Sequence, residues 1–393
     1  MRIALVAESF LPHVNGVTHS LLRVLDHLET RGDEALVIAP EAKDSAGPDR
    51  YGIATVHRMP AVSCPGYDDV RVTLPATTRI GRLLEDWQPD VVHLASPFLL
   101  GWSGVKAAER LAIPSVAVYQ TDVPSYAERY KVSWGEAPMW RRVLDIHDRA
   151  TLTLAPSTAA IDQLASRGVK RLRLWPRGVD AERFHPDHRD PDLRRAWAPH
   201  GEVIVGYAGR LAPEKRVEDL ARLSALPGVR VVVIGEGPSR ARLEALMPDA
   251  AFTGFLDGHH LARALASLDV FVHCGELETF CQAIQEAHAS GVPVVAPRRG
   301  GPIDLVEDGL TGYLYEPGRT DQMVAMVREL VDDADWRALM SARARVSVLG
   351  RTWPSVCEDL ITHYADALGG KASTPTHPSR PSPFPRSREA ARP

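Results

Sequence analysis

The stretch ELETFCQAIQE sets Glu278 and Glu286 eight positions apart across a mostly apolar run, after the strand-like DVFVHC. A carboxylate accepts hydrogen bonds from sugar hydroxyls, and two of them on one segment can hold two parts of one polyol ligand. Were the whole stretch helical, eight positions would bring the carboxylates within ~80° around the axis and ~12 Å along it. An acid favoured by the helix dipole and a solvated helix acid would give the same spacing.

Cations occur at a matching place. In YAGRLAPEKRVEDL, Arg210 and Lys215 lie in the loop between the strand-like Val203 to Tyr207 and a helix expected near Val217. A guanidinium fork and an ammonium point charge suit a diphosphate, although a solvated loop carries such residues too. In VIGEGPSRARLEAL, Gly235 and Gly237 follow a strand and precede a helix, but position 240 is Arg. The third glycine of a dinucleotide fingerprint is therefore missing, which disfavours a dehydrogenase. Near the N-terminus, Asn15-Gly16-Val17 opens an apolar-periodic helix. A glycine there either lets an anion approach the backbone amides or merely makes a tight turn.

The elements that position these residues follow from the apolar rhythm. Short runs at Ile3 to Val6, Ala35 to Ala39, Val91 to Leu94, Ser115 to Tyr119, Leu152 to Leu154 and Leu172 to Leu174 alternate with helical segments. A second series follows at Val203 to Tyr207, Arg230 to Ile234, Ala251 to Thr253, Val270 to His273, Val292 to Ala296 and Tyr313 to Tyr315. Such alternation predicts βαβ units and parallel sheets. The fold expected is α/β: two Rossmann-like doubly wound parallel-sheet domains facing a cleft. Residues 1–175 form the first, 176–202 a polar linker, 203–350 the second and 351–370 a C-terminal helix packing back on the first. The Pro-, Ser- and Arg-rich tail 371–393 is expected to be disordered.

Composition bounds the function. The chain has 393 residues, 45% hydrophobic, and a formal net charge of −4. That charge gives no bulk drive toward nucleic acid. The four cysteines, Cys64, Cys274, Cys281 and Cys357, have neither CxxC nor metal-ligand spacing, which argues against a zinc site and fits a reducing cytoplasm. Neither DPD at 190–192 nor DAD at 333–335 follows a strand, so neither reads as the metal motif of a nucleotide-sugar enzyme. The segment ERYKVSWGEAPMWRRVLDIHDR combines Arg129, Lys131, Arg141 and Arg142 with Trp134 and Trp140. It could rest on an anionic membrane or be an ordinary helix with a basic face.

Together, YAGRLAPEKRVEDL, VIGEGP, FTGFL, the Glu278/Glu286 pattern, ASGVPVVAPRRGGPIDLVEDGLTGYLYEPG and WPRGVDAERFHP resemble the retaining GT-B glycosyltransferases of family 4. The likeness spans roughly residues 1 to 368, with six motifs in the family's order. ESFLPHVNGVTHSLLRVLDHL and YQTDVPSYAERY are similar to the bacterial GDP-mannose-dependent α-mannosyltransferases acting on glycolipids, and also to sulfoquinovosyl transferases. The resemblance implies a hexosyltransferase with a nucleotide sugar as substrate, no cofactor and no metal. Arg210 and Lys215 would grip the diphosphate, Glu286 the ribose and Glu278 the sugar near its reacting carbon, with Gly235 and Phe280 also at the donor. Gly16 would meet the leaving phosphate. Asp122 stands where many members carry a His, and either contacts a sugar hydroxyl or caps the following turn. The implied partners are a nucleotide sugar and a glycolipid or polyprenyl-type acceptor at the inner membrane face. A UDP-sugar donor, a soluble acceptor and a non-catalytic sugar-nucleotide binder are the alternatives.

Overall fold

The computed structural model describes residues 1–13, 15–42, 47–64, 67–73, 76–96, 98–120 and 133–369. Asp122, Arg129, Lys131 and the tail 371–393 lie outside them. The described residues divide into two units: 1–177 with 354–369, and Gly178–Trp353.

Among the described residues the first unit carries ten strands. They are β1 (Arg2–Val6), β2 (Glu34–Pro40), β3 (Arg50–Tyr51), β4 (Ala54–Met59), β5 (Ala61–Cys64), β6 (Tyr67–Thr73), β7 (Val91–Leu94), β8 (Ser115–Val118), β9 (Leu152–Ala155) and β10 (Leu172–Leu174). Eight form one sheet in the order β10-β9-β8-β7-β1-β2-β4-β3, while β5 and β6 form a separate antiparallel pair. All ladders of the large sheet are parallel except β3 with β4 at its edge. Ala4, Val6, Ile38, Val92 and Leu94 bury one face against Ile80, Leu84, Leu100, Val105 and Ile146 of flanking helices.

The second unit holds β11 (Val203–Ala208), β12 (Val229–Ile234), β13 (Ala251–Gly254), β14 (Val270–Val272), β15 (Val294–Pro297) and β16 (Gly312–Tyr315). Their order is β13-β12-β11-β14-β15-β16, parallel throughout. Successive side chains of a strand face opposite sides. Accordingly Ile204, Val232 and Ile234 enter one core, with Ile284 and Ala287. Val205, Val231 and Val233 enter the other, with Met323, Val327 and Met340. Both faces are covered, which is why these strands read as continuous apolar runs.

Of the stretch 176–202, expected as a linker, residues 176–177 belong to the first unit and 178–202 to the second. Val179, Phe184 and Ala198 join its core, and Asp190 caps a helix over Pro191–Trp197 by accepting from the amides of Asp192 and Leu193. Asp333 likewise caps the helix Ala334–Val348. The leading acid of each DxD-like triplet is thus a helix cap, and the second, Asp192 or Asp335, lies in the first turn.

The helix Trp353–Gly369 packs in the first unit. There Tyr364 Oη lies 2.7 Å from His93 Nδ1 in a buried hydrogen bond, and Trp175 Nε1 donates to Val356 O at 2.9 Å. Burial holds the His93 imidazole down at about 3, so the ring is neutral and needs this polar partner. Tyr364→Phe strands one buried ring nitrogen and is expected to cost about 1–3 kcal/mol of stability, read as a lower urea midpoint at unchanged slope.

Candidate functional site

In the second unit the strand order reverses between β11 and β14, and open parallel sheets hold ligands beyond the carboxyl ends of strands at such a point. The loop after β11 brings Arg210 and Lys215 there, and the loop after β14 brings Glu276 to Cys281. Lys215 Nζ lies 2.5 Å from Glu278 Oε1, with the two side chains only 16% and 13% exposed. His273 Nε2 approaches the same oxygen at 3.2 Å. Burial works to raise the Glu278 carboxyl, but Lys215 and His273 overcome it and hold the group down at about 2. Burial likewise disfavours a charged His273, yet Cys281 and Glu278 beside it prevail and raise it to about 10. The centre of the site is an ionised carboxylate held by cations.

The neighbouring residues repeat the arrangement. Arg216 pairs with Glu276 and with Asp219, and Arg299 Nη1 reaches Glu276 at 3.3 Å. Consecutive cations, Lys215 and Arg216, therefore grip alternate acids, Glu278 and Glu276. Against the loop's other side lie Gly300 and Gly301, whose amide at 301 donates to Glu278 O at 2.8 Å. Gly300 has φ +67°, and a Cβ there would stand 2.4 Å from Glu278 O.

The candidates expected at the donor separate. Arg210 is 56% exposed and pairs with Glu214. Gly235 has φ +139°, and a Cβ would fall 2.0 Å from Gly209 O, so this glycine lets two loops of the site touch. Phe280, expected at the donor, is 2% exposed and belongs to the core beside Ile284 and Leu305. Only its main chain is left for a ligand. Glu286 lies on the helix Gln282–Ala289, where burial pushes its carboxyl up to about 7 against the opposing pull of Gln282 and Arg183.

Glu278 sits four residues before that helix, in the loop, not at its N-terminus as expected. Cys281, at the junction, has φ 78° and ψ 75°, so the helical separation of the two glutamates does not apply. Gly16 begins the helix Gly16–Arg31, capped by the Asn15 side chain, which accepts from the amides of Val17 and Thr18. Arg177 Nη1 donates to Gly16 O at 3.2 Å and its Nη2 to Gln120 Oε1 at 3.0 Å. That guanidinium lies inside the motif WPRGVDAERFHP, and its two long-range partners leave no local trace in the sequence. Trp140, in the segment that reads either as a membrane-resting face or as an ordinary helix with a basic face, is 8% exposed and stacks on Tyr119, as an ordinary helix would have it. Arg142 instead covers the ring of Trp102 at 3.9 Å, with Lys106 at 4.0 Å.

Two family profiles match the chain: Glycosyltransferase Family 4 over residues 14–183, and Glycosyl transferases group 1 over 190–347. A GDP-mannose-dependent alpha-mannosyltransferase of Mycolicibacterium smegmatis is 49% identical over 375 residues, 95% of this chain and 99% of that one. The chain belongs to glycosyltransferase family 4. A sulfoquinovosyl transferase of Arabidopsis thaliana is 36% identical to this glycosyltransferase over 90% of its chain and 71% of the relative. The sucrose-phosphate synthase of Thermosynechococcus elongatus shares its fold, with a TM-score of 0.79 at 19% identity over 94% of this chain and all of that one. The fold is thus that of GT-B glycosyltransferases.

Because Gly300 supports the loop of Glu278 at a left-handed φ, Gly300→Ala should displace that loop. Expected are a stability loss of about 1–3 kcal/mol and a fall in kcat/KM of at least about tenfold, read by thermal melting and steady-state kinetics.

Proposed function

We propose that this glycosyltransferase moves mannose from GDP-mannose to a hydroxyl of a membrane glycolipid, with retention at the anomeric carbon. The observation that carries the reading is the Lys215–Glu278 pair at the switch point of the second sheet. Near-full-length likeness to an enzyme named for GDP-mannose dependence supports the donor.

In this reading a diphosphate offers Lys215 a second anionic partner, and Arg210, on an exposed side chain, closes on the same phosphates. Glu278, as an ionised acceptor, takes hydrogen bonds from the mannose hydroxyls near the reacting carbon. The acceptor oxygen attacks the face from which the diphosphate departs, the C1–O bond to phosphate breaks, and the leaving phosphate takes the acceptor's proton. Negative charge builds on the departing GDP, where fixed cations stabilise it without reorganising. The transfer requires no metal. Glu286 receives the ribose hydroxyls. No helix among the described residues is long and apolar enough to cross a membrane. The lipid is met peripherally, from the cytoplasmic side.

Purified protein with labelled GDP-mannose and a lipid extract is expected to yield a new α-mannolipid in the presence of chelator. Glu278→Gln should cut turnover at least about a hundredfold while GDP binding changes less than about threefold. Release of nucleotide from UDP-glucose or UDP-sulfoquinovose but not from GDP-mannose would replace the donor, a result the Arabidopsis relative makes worth scoring.

Glu286 supplies a pH dependence. Its carboxyl, pushed up to about 7, is largely neutral below that pH and ionised above it, and only the ionised form accepts from both ribose hydroxyls without donating. The KM for GDP-mannose should therefore fall as pH rises through about 7, and Glu286→Gln should flatten the profile.

A further inference from the structure

Two side chains beside Glu278 touch no part of the donor in the transfer reaction. His273 is 3% exposed, and its polar contact to Glu278 is the 3.2 Å approach of Nε2 to Oε1. Cys281 is 8% exposed and holds φ 78°, a conformation that is strained for any residue with a Cβ and relaxed for glycine. What the strained residue brings that glycine cannot is a sulfur. One ligand atom each from His273, Glu278 and Cys281 lie within 4.8 Å of one another.

A nitrogen, a sulfur and a carboxylate oxygen form the mixed donor set that zinc accepts in tetrahedral geometry, with water in the fourth position. Around zinc, ligand atoms stand about 3.3–3.8 Å apart, so side-chain movements of about 1 Å would gather these three. Magnesium, which takes oxygen ligands, does not suit the set. A bound dication would also take the Glu278 oxygen that lies 2.5 Å from Lys215 Nζ. The ammonium would lose its partner and be repelled by the ion.

We propose that His273, Glu278 and Cys281 form a site for a thiophilic divalent cation of the zinc type, and that its occupation inhibits the enzyme by competing with the donor for Glu278. On binding, the Cys281 thiol and the His273 imidazolium each release one proton to solvent, and the three ligand bonds to the metal replace three of its bound waters. The inhibitory half rests on the proposed transfer reaction; the binding half does not.

The test uses the full chain, stripped with chelator and titrated with Co²⁺ and then Zn²⁺. Expected is one equivalent of tetrahedral Co²⁺ with a thiolate-to-metal charge-transfer band that Zn²⁺ bleaches. Cys281→Gly, which relieves the left-handed backbone and should fold, is expected to lose the band and bind zinc at least about tenfold more weakly. Cys274→Ala, a change at the other cysteine beside His273, should keep both. In the transfer assay, micromolar Zn²⁺ should raise the donor KM several-fold at unchanged kcat, and Mg²⁺ should not. Absence of Co²⁺ uptake, or a band undiminished in Cys281→Gly, overturns the site. Uptake with no change in donor KM overturns the inhibition. Metal uptake by a protein that uses no sugar nucleotide supports the site and overturns the transfer reading instead.

Discussion

Much of the second unit's chemistry depends on one contact, the 2.5 Å ion pair between Lys215 and Glu278. It ties the loop after β11 to the loop after β14, the two strands flanking the reversal of sheet order, and the Arg216–Glu276 pair repeats it one step away. A nearly buried pair of this kind adds little net stability, because attraction and desolvation roughly cancel. That balance suits a ligand site. A charged group arriving from solution can replace one partner at small cost, whereas a strongly favourable pair would resist it.

The parallel sheets were legible because both of their faces are covered, so each strand appears as an unbroken apolar run. What escaped was structure without that signature. β4, ATVHRM, alternates irregularly between buried and exposed positions, and the short β3 beside it is an exposed edge. The segment 176–202 is held by scattered anchors: Val179, Phe184 and Ala198 in the core, and Arg345, which donates to the carbonyls of Ala181 and Phe184. Three core anchors over twenty positions make no period, and an arginine more than 160 positions away leaves no local trace.

Site residues divide on the same line. Lys215 and Glu278 stood out by type and by place after a strand, while Gly235 marked a turn that a Cβ would block. His273, Cys281 and Arg216 did not stand out, and the spacing rule for zinc motifs passed over a cysteine and a histidine eight positions apart. One signal was available. Two adjacent cations, Lys215-Arg216, match two acids set two apart, Glu276 and Glu278, as an extended loop laid across them would require. Phe280 misled in the opposite sense: its place in the motif suggested a ligand contact, but an aromatic between Thr279 and Cys281 also fills the core beneath the helix that follows.

The helix Trp353–Gly369 gives the first unit an unusual dependence on the order of synthesis. Its Tyr364 pairs with His93 across 271 positions of sequence, and the whole of the second unit is made in between. As the chain leaves the ribosome, the first sheet can assemble early but must wait for its last helix until the second unit has been translated. During that interval the apolar ground which Val356, Leu360 and Tyr364 finally cover is open to water and to chaperones. A chain truncated before Trp353 would keep every residue of the Lys215–Glu278 site and still lack the piece that closes the other half.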